Sequence, residues 1–172
     1  MNGNRKNVPG ARDEHTAVVH EDSMVVFGGF AGGEGGLSGG ISSSRRTNDI
    51  YKYHFKENTW ERIKARGGIV PCPRAGHSAV VRQDEENGDC MYIFGGKDGT
   101  DHKLNDVWKF HFATNRWTYI EAEDPPFPRS GHSASIFKDY MVIYGGILDV
   151  TKELNDLHVF DFKTEKWQCL FK

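Results

Sequence analysis

The hydrophobic positions of the chain fall in short runs that recur in the same order three times, with polar or glycine-rich residues between them. In each copy one run is continuously apolar and ends in Gly-Gly, which is typical of a strand buried on both faces. Another run alternates between apolar and polar positions, which is typical of a strand with two different faces. The pattern therefore predicts four short strands, A to D, in each copy. They lie at 15–19, 77–81 and 132–137 (A), at 24–27, 91–94 and 141–144 (B), at 50–55, 107–112 and 157–162 (C), and at 60–63, 117–120 and 167–170 (D).

The spacing of marker residues separates paired strands from loops. From the Asn of an Asn-Asp pair to the next Trp the distance is 12 residues in every copy, as from Asn48 to Trp60. From the first glycine of Gly-Gly to the same Asn the distance is 20 residues in the first copy and 10 in the other two. Constant spacing is typical of paired strands, and variable spacing is typical of loops that tolerate insertion. The first copy therefore carries an insertion between strands B and C.

Composition supports an all-β chain divided into three repeats. Aromatic residues make up 12% of the 172 residues and there are 20 glycines, which favours short strands joined by tight turns. The predicted organisation is an N-terminal tail (1–10) followed by three repeats. These are 11–66 with a glycine-rich insertion at 31–47, then 67–123, then 124–172.

The net charge and the cysteine content limit the expected class of partner and the expected location. The net charge is -2 and the pI is near 6.4, so we expect neither a nucleic acid nor a membrane as partner. The N-terminus lacks the apolar core of a signal peptide, and no run of about 18 apolar residues is present. Three widely spaced cysteines do not form a disulfide framework, and they favour a reducing, cytoplasmic location.

The recurring residues resemble the kelch-repeat family over nearly the whole of 11–172. The resemblance rests on Gly-Gly after strand B, an aromatic in strand C, the Trp at a fixed distance, and Pro-Arg-x-Gly-His before strand A. The first copy departs from it, with Asp13 and Glu14 where the third copy has Ser130 and Gly131. The resemblance implies a kelch-type β-propeller of three four-stranded antiparallel blades.

Three blades are fewer than the four to eight of a typical propeller. Six blades are common in kelch relatives, so the resemblance implies half of a six-bladed ring. Three interpretations stay open: a fragment of a longer propeller, a homodimer that completes the ring, or a three-blade unit that stands alone. For the first two we expect apolar terminal faces, near Trp60 and Trp167.

One end of the predicted propeller carries the B–C and D–A loops, where kelch relatives commonly bind partner peptides. Arginines that recur in every copy would favour an acidic segment, because guanidinium groups bind carboxylates in a bidentate manner. The alternative is that each recurring arginine bonds the Asn-Asp loop of its own blade. Non-repeating residues of the same loops are further candidates. The predicted partner-binding residues are Arg12, Arg45, Arg46, Arg74, Lys97, Asp98, His102, Arg129, Ile147 and Leu148.

The predicted function is a non-enzymatic protein-interaction module with no catalytic residue, cofactor or metal. The recurring His15, His77 and His132 lack a cysteine or carboxylate at zinc-ligand spacing. The alternative is part of a propeller enzyme or small-molecule binder whose site is completed by further blades.

Overall fold

The computed structural model describes residues 7–32, 45–84 and 88–172, and within them every regular element is a β-strand. The first repeat contains β1 (Arg12–Asp13), β2 (Thr16–His20), β3 (Ser23–Phe27), β4 (Phe30–Ala31), β5 (Arg45–Arg46), β6 (Ile50–His54) and β7 (Thr59–Ile63). The second contains β8 (Ser78–Arg82), β9 (Cys90–Phe94), β10 (Val107–His111) and β11 (Arg116–Ile120). The third contains β12 (Ser133–Phe137), β13 (Tyr140–Tyr144), β14 (Ile147–Asp149), β15 (Lys152–Glu153), β16 (Leu157–Asp161) and β17 (Lys166–Phe171).

Three four-stranded antiparallel sheets form the blades, with strand orders β2-β3-β6-β7, β8-β9-β10-β11 and β12-β13-β16-β17. The predicted strands A to D are confirmed in each blade, with ends that differ by at most one residue. Strand β8 contacts both β2 and β12, so the A strands of successive blades lie side by side. The part of the chain that the structure describes has no helix able to cross a membrane.

The hydrophobic core consists of two layers, each between neighbouring blades. The first layer joins Val25, Phe27 and Ile50 of blade 1 to Met91, Ile93, Trp108, Phe110 and Trp117 of blade 2. The second joins Val80, Cys90, Tyr92, Phe94, Val107 and Ile120 of blade 2 to Met141, Ile143, Phe160, Phe162 and Trp167 of blade 3. Each blade therefore buries its apolar residues mainly against its neighbours.

Gly-Gly allows one blade to approach the next. Gly29 has φ +95°, and a Cβ there would lie 2.7 Å from the carbonyl oxygen of Asp13. A Cβ on Gly28 would lie 2.9 Å from the carbonyl oxygen of Arg74, in the next blade. Side chains at either position would therefore separate backbones that are in direct contact.

The unusual first loop adopts the conformation of the other two. Glu14 has φ 51°, close to the φ of 67° at Gly76 and at Gly131, which occupy the equivalent positions. Strand β1 pairs with β4, which in turn pairs with β5. The base of the insertion is thus a small antiparallel sheet, whereas 33–44 of the predicted insertion lie outside the described residues.

Trp167 itself is not part of the terminal face of blade 3. Trp167 is 5% exposed, and its ring centroid lies 4.8 Å from that of Phe94 in blade 2. The Trp of each blade packs toward the preceding blade, so only Trp60, in the first blade, has none of the described blades to pack against. Trp60 instead contacts Tyr53 of its own blade, with ring centroids 5.0 Å apart.

Candidate functional site

The B–C and D–A loops meet at one end of the blades. Arg12 pairs with Ala31, Ala75 with Lys97, and Ser130 with Ile147, in each case joining the loop before strand A to the loop after strand B. The amide of Gly131 also donates to the carbonyl of Gly76, 2.8 Å away, which ties the second and third loop pairs together. These loops form a continuous edge, which we call the rim.

The recurring arginines lie beneath the rim. Arg74 and Arg129 are 0% exposed. Arg74 donates from both terminal nitrogens to the carboxylate of Asp106, at 2.7 Å each, and from Nη1 to the carbonyl of Gly95 at 3.0 Å. Arg129 donates in the same way to Asp156, at 2.6 and 2.8 Å. Both guanidinium groups are therefore enclosed by their own blades.

Arg12 makes the corresponding contacts in the first blade. Its Nη1 donates to Asp49 at 2.6 Å and to the carbonyl of Gly28 at 3.0 Å. In the third blade the hydrogen bond from Arg129 is the main cause that holds the pKa of Asp156 down to about 2. The carboxylate of Asp156 is therefore ionised at neutral pH. The interpretation in which each recurring arginine bonds the Asn-Asp loop of its own blade accounts for the contacts of all three arginines.

The non-repeating basic residues of the first loop differ in exposure. Arg45 is exposed. Arg46 donates to the carboxylate of Asp101 in the B–C loop of blade 2, and its guanidinium lies 5.7 Å from the ring centroid of Phe30. Arg46 therefore joins two neighbouring loops, whereas Arg45 is free to face solvent.

The second loop is also partly tied to the first. Lys97 donates from Nζ to the carboxylate of Glu14, 3.0 Å away. Asp98 accepts the backbone amides of Thr100 and His102, at 2.8 and 3.1 Å, and so stabilises its own turn. His102 is exposed. Among the described residues, the rim therefore carries both signs of charge, and Lys97 is paired with a carboxylate.

The third loop presents the apolar part of the rim. Strands β14 and β15 form a hairpin with Val150 at its turn, and Val150 is 94% exposed. Ile147 is 41% exposed and Leu148 is half-buried. Val150 lies between Asp149 and Thr151, in the apolar loop that the sequence had already indicated as a candidate contact.

The recurring histidines bridge neighbouring blades. Nε2 of His77 lies 2.9 Å from Oγ1 of Thr16, and Nε2 of His132 lies 2.8 Å from Oγ of Ser78. Burial lowers the pKa of His77 to about 3 and that of His132 to about 4, so both are neutral at pH 7. Among the described residues no group of three His, Cys, Asp or Glu side chains could hold a metal ion. Sequence reasoning missed this bridge, although a Thr or Ser directly follows each of these histidines.

Comparison with known proteins agrees with this architecture. The model of the KLHDC2/KLHL20/DRC7 Kelch-repeats domain matches residues 3–85 and 32–170. The chain belongs to the kelch-repeat family. Among its kelch relatives are the leucine-zipper-like transcriptional regulator 1 homolog of Drosophila melanogaster, 33% identical over 76% of this chain, and human host cell factor 2, 30% identical over 77%.

The kelch chain is short beside these relatives. It spans 12% of the length of the Drosophila protein and 17% of that of host cell factor 2. Among solved structures, YjhT matches 92% of this chain with a TM-score of 0.76 and 19% identity, and the match covers 52% of YjhT. With the family match and the three four-stranded antiparallel sheets, this likeness confirms the expected fold class, an all-β kelch-type β-propeller.

Proposed function

We propose that this kelch domain is a non-enzymatic protein-interaction module that holds a segment of a partner protein on the rim. Kelch-repeat domains are typically protein-interaction modules, which supports this class of function. The observation that carries the proposal is the β14–β15 hairpin, where Val150 is 94% and Ile147 41% exposed beside polar loops. Exposed apolar side chains rimmed by polar ones are typical of a protein contact.

The proposed contact surface excludes the recurring arginines. Arg12, Arg74 and Arg129 already bond Asp49, Asp106 and Asp156. Removing them from those carboxylates would leave buried charges unpaired, at a cost of several kcal/mol. The proposed surface consists of Arg45, Lys97, Asp98, His102, Ile147, Leu148 and Val150.

The chemistry of this surface favours a partner segment with an apolar anchor and flanking polar residues. Apolar anchors at the hairpin supply buried area, while Arg45, Lys97 and His102 supply hydrogen bonds at its edge. An acidic residue of the segment that reaches the loop of blade 1 would find Arg45 exposed. The three cysteines are free thiols, which supports a reducing compartment such as the cytoplasm.

Selection from a random peptide library tests this proposal. Peptides enriched on the wild-type chain are expected to bind the Ile147→Asp/Val150→Asp double variant at least 10-fold more weakly. The matched control is Val19→Asp, since Val19 is 64% exposed but lies near the end of strand β2 that leads to the A–B turn, away from the rim loops. Peptides that bind the double variant as well as they bind the wild type would show that the binding surface lies elsewhere.

A further inference from the structure

The two interfaces between blades are built from the same contacts. The strand-B phenylalanine of one blade meets the Trp of the next: Phe27 and Trp117 have ring centroids 5.0 Å apart, and Phe94 and Trp167 4.8 Å. The same phenylalanines meet the rings of His77 and His132 edge-on, at 5.2 Å in both interfaces. Each blade thus offers one set of groups to the following blade and another to the preceding one.

Polar contacts repeat with equal regularity. Gly29 donates its amide to the carbonyl of Arg74 at 2.9 Å, and Gly96 donates to that of Arg129 at 2.8 Å. In both interfaces, an asparagine side-chain amide also donates to the carbonyl oxygen of a proline in the next linker. Asn48 donates to Pro71 at 3.0 Å, and Asn105 donates to Pro126 at 3.2 Å.

The forward-facing half of this set is exposed on blade 3. Tyr144 is 51% exposed, whereas Phe27 and Phe94 at the equivalent positions are 0% exposed. Phe137 is 61% exposed, whereas the equivalent His20 stacks on Phe112 with ring centroids 3.9 Å apart. We define the trailing face of blade 3 as Ser133, Phe137, Tyr140, Tyr144 and Leu170, all exposed.

The backward-facing half is available on blade 1. His15, equivalent to the bridging His77 and His132, is exposed. Phe55, equivalent to the stacked Phe112, is 50% exposed. We define the leading face of blade 1 as His15, Tyr53, Phe55 and Trp60. The linker in front of it carries Pro9 at the position of Pro71 and Pro126.

We propose that the trailing face of blade 3 binds the leading face of blade 1 of a second copy of this chain, and that the reciprocal contact closes a six-bladed ring of two chains. By the repeated pattern, Tyr144 packs on Trp60 of the second copy, Ser133 bonds its His15, and Phe137 stacks on its Phe55. The second copy is the occupant because its blade 1 presents every group that the internal interfaces use. The arrangement is independent of the rim, so failure of either proposal leaves the other standing.

Ring closure follows from the architecture. A head-to-tail contact generates a closed ring only if the rotation per copy divides a full turn, and otherwise it generates an open filament. The match with YjhT covers 52% of that chain, which supports about half a propeller for each copy of the three-bladed chain. Two copies therefore complete one turn, with two equivalent contacts.

Mass in solution tests the proposal. Light scattering on the 172-residue chain is expected to give about twice 19.4 kDa. Tyr144→Asp and Phe55→Asp each place a charge in both contacts of the ring, and each is expected to weaken the dimer about 100-fold or more. Phe137→Asp serves as a second trailing-face variant. Ile69→Asp, outside both faces, should leave the dimer intact, and thermal melting shows whether each variant folds.

Mixing the variants shows which faces meet. Tyr144→Asp retains an intact leading face, and Phe55→Asp retains an intact trailing face, so an equimolar mixture regains one contact and forms a one-to-one complex. A monomeric wild type, a mass that keeps rising with concentration, or a dimer that only Tyr144→Asp disrupts would each overturn the proposal.

Discussion

Phe94 and Tyr144 occupy the same position of the repeat in two different surroundings. Phe94 is 0% exposed, between Trp167 and His132 of the following blade. Tyr144 ends strand β13 in the same way and also precedes Gly-Gly, yet it is 51% exposed. The difference teaches that burial at this position depends on the neighbouring blade and not on the blade that carries the residue.

The histidines before strand A show the same difference on the side of a blade that faces the preceding blade. His132 is 8% exposed and bonds Ser78 of the preceding blade, whereas His15 is exposed. Local sequence around the two is alike, since each is followed by a hydroxyl residue and a short apolar strand. His132 has Ser78 of a preceding blade to bond, and this contact accompanies its burial.

The largest expected effect is the unequal cost of truncating the two aromatic residues. Phe94→Ala is expected to lower the free energy of unfolding by about 3–5 kcal/mol, because it opens a cavity in the layer between blades 2 and 3. Tyr144→Ala should lower it by no more than about 1 kcal/mol. Urea unfolding measures both, in the Phe55→Asp background to remove self-association. Equal losses of unfolding free energy in Phe94→Ala and Tyr144→Ala would contradict the claim that the neighbouring blade decides burial.

The next effect is a pH dependence that the buried histidines impose. Burial, and then the charge of Arg129, lower the pKa of His132 from 6.5 to about 4. The unfolded chain therefore takes up the proton first, so stability is full above pH 6.5 and declines as the pH falls from 6.5 to 4. His132→Gln should reduce the decline in the free energy of unfolding over this pH range by up to about 3 kcal/mol.

The matched control for the pH dependence is His15→Gln, at the same position of the repeat. His15 is exposed, and the change in slope should be smaller than for His132→Gln. Unfolding midpoints measured across this pH range compare the two variants. If His15→Gln flattened the profile as much as His132→Gln, the link between burial and slope would be refuted.

The smallest effect concerns the one repeat position at which the first loop departs from the others. Glu14 holds φ at 51° where Gly76 and Gly131 are glycine. Glu14→Gly and Glu14→Ala both remove the ion pair with Lys97, but only glycine relieves the left-handed backbone. We expect the Gly variant to be about 1 kcal/mol more stable than the Ala variant in thermal melts. The reverse order would contradict this account.

Much of the fold was predictable because the three copies of the repeat can be compared with one another, position by position. The fixed distance from Asn105 to Trp117, found in every copy, corresponds to a constant strand register between β10 and β11. Since a strand register cannot tolerate insertion without turning side chains to the other face, constant spacing marks paired strands. The same reasoning placed the insertion in a loop, and β4 and β5 pair at its base.

Less of the candidate site could be predicted. A recurring Arg74 and a non-recurring Arg46 are both charged loop residues in the sequence, but one is enclosed by its own blade and the other bridges two loops. Their roles depend on carboxylates 32 and 55 positions away along the chain. The repeat indicated the contact of Arg74, because an Asn-Asp pair recurs with this arginine in every copy, whereas the contact of Arg46 with Asp101 has no counterpart in the other copies.

By itself the sequence determined that there are three repeats, four strands in each, and a Gly-Gly turn and Trp at fixed places, because strand pairing imposes constant spacing. Only the tertiary structure decided which equivalent residues are buried and which are exposed. The reason is physical: a blade buries its faces against its neighbours, so Phe94 and Tyr144 share a pattern and differ in their surroundings.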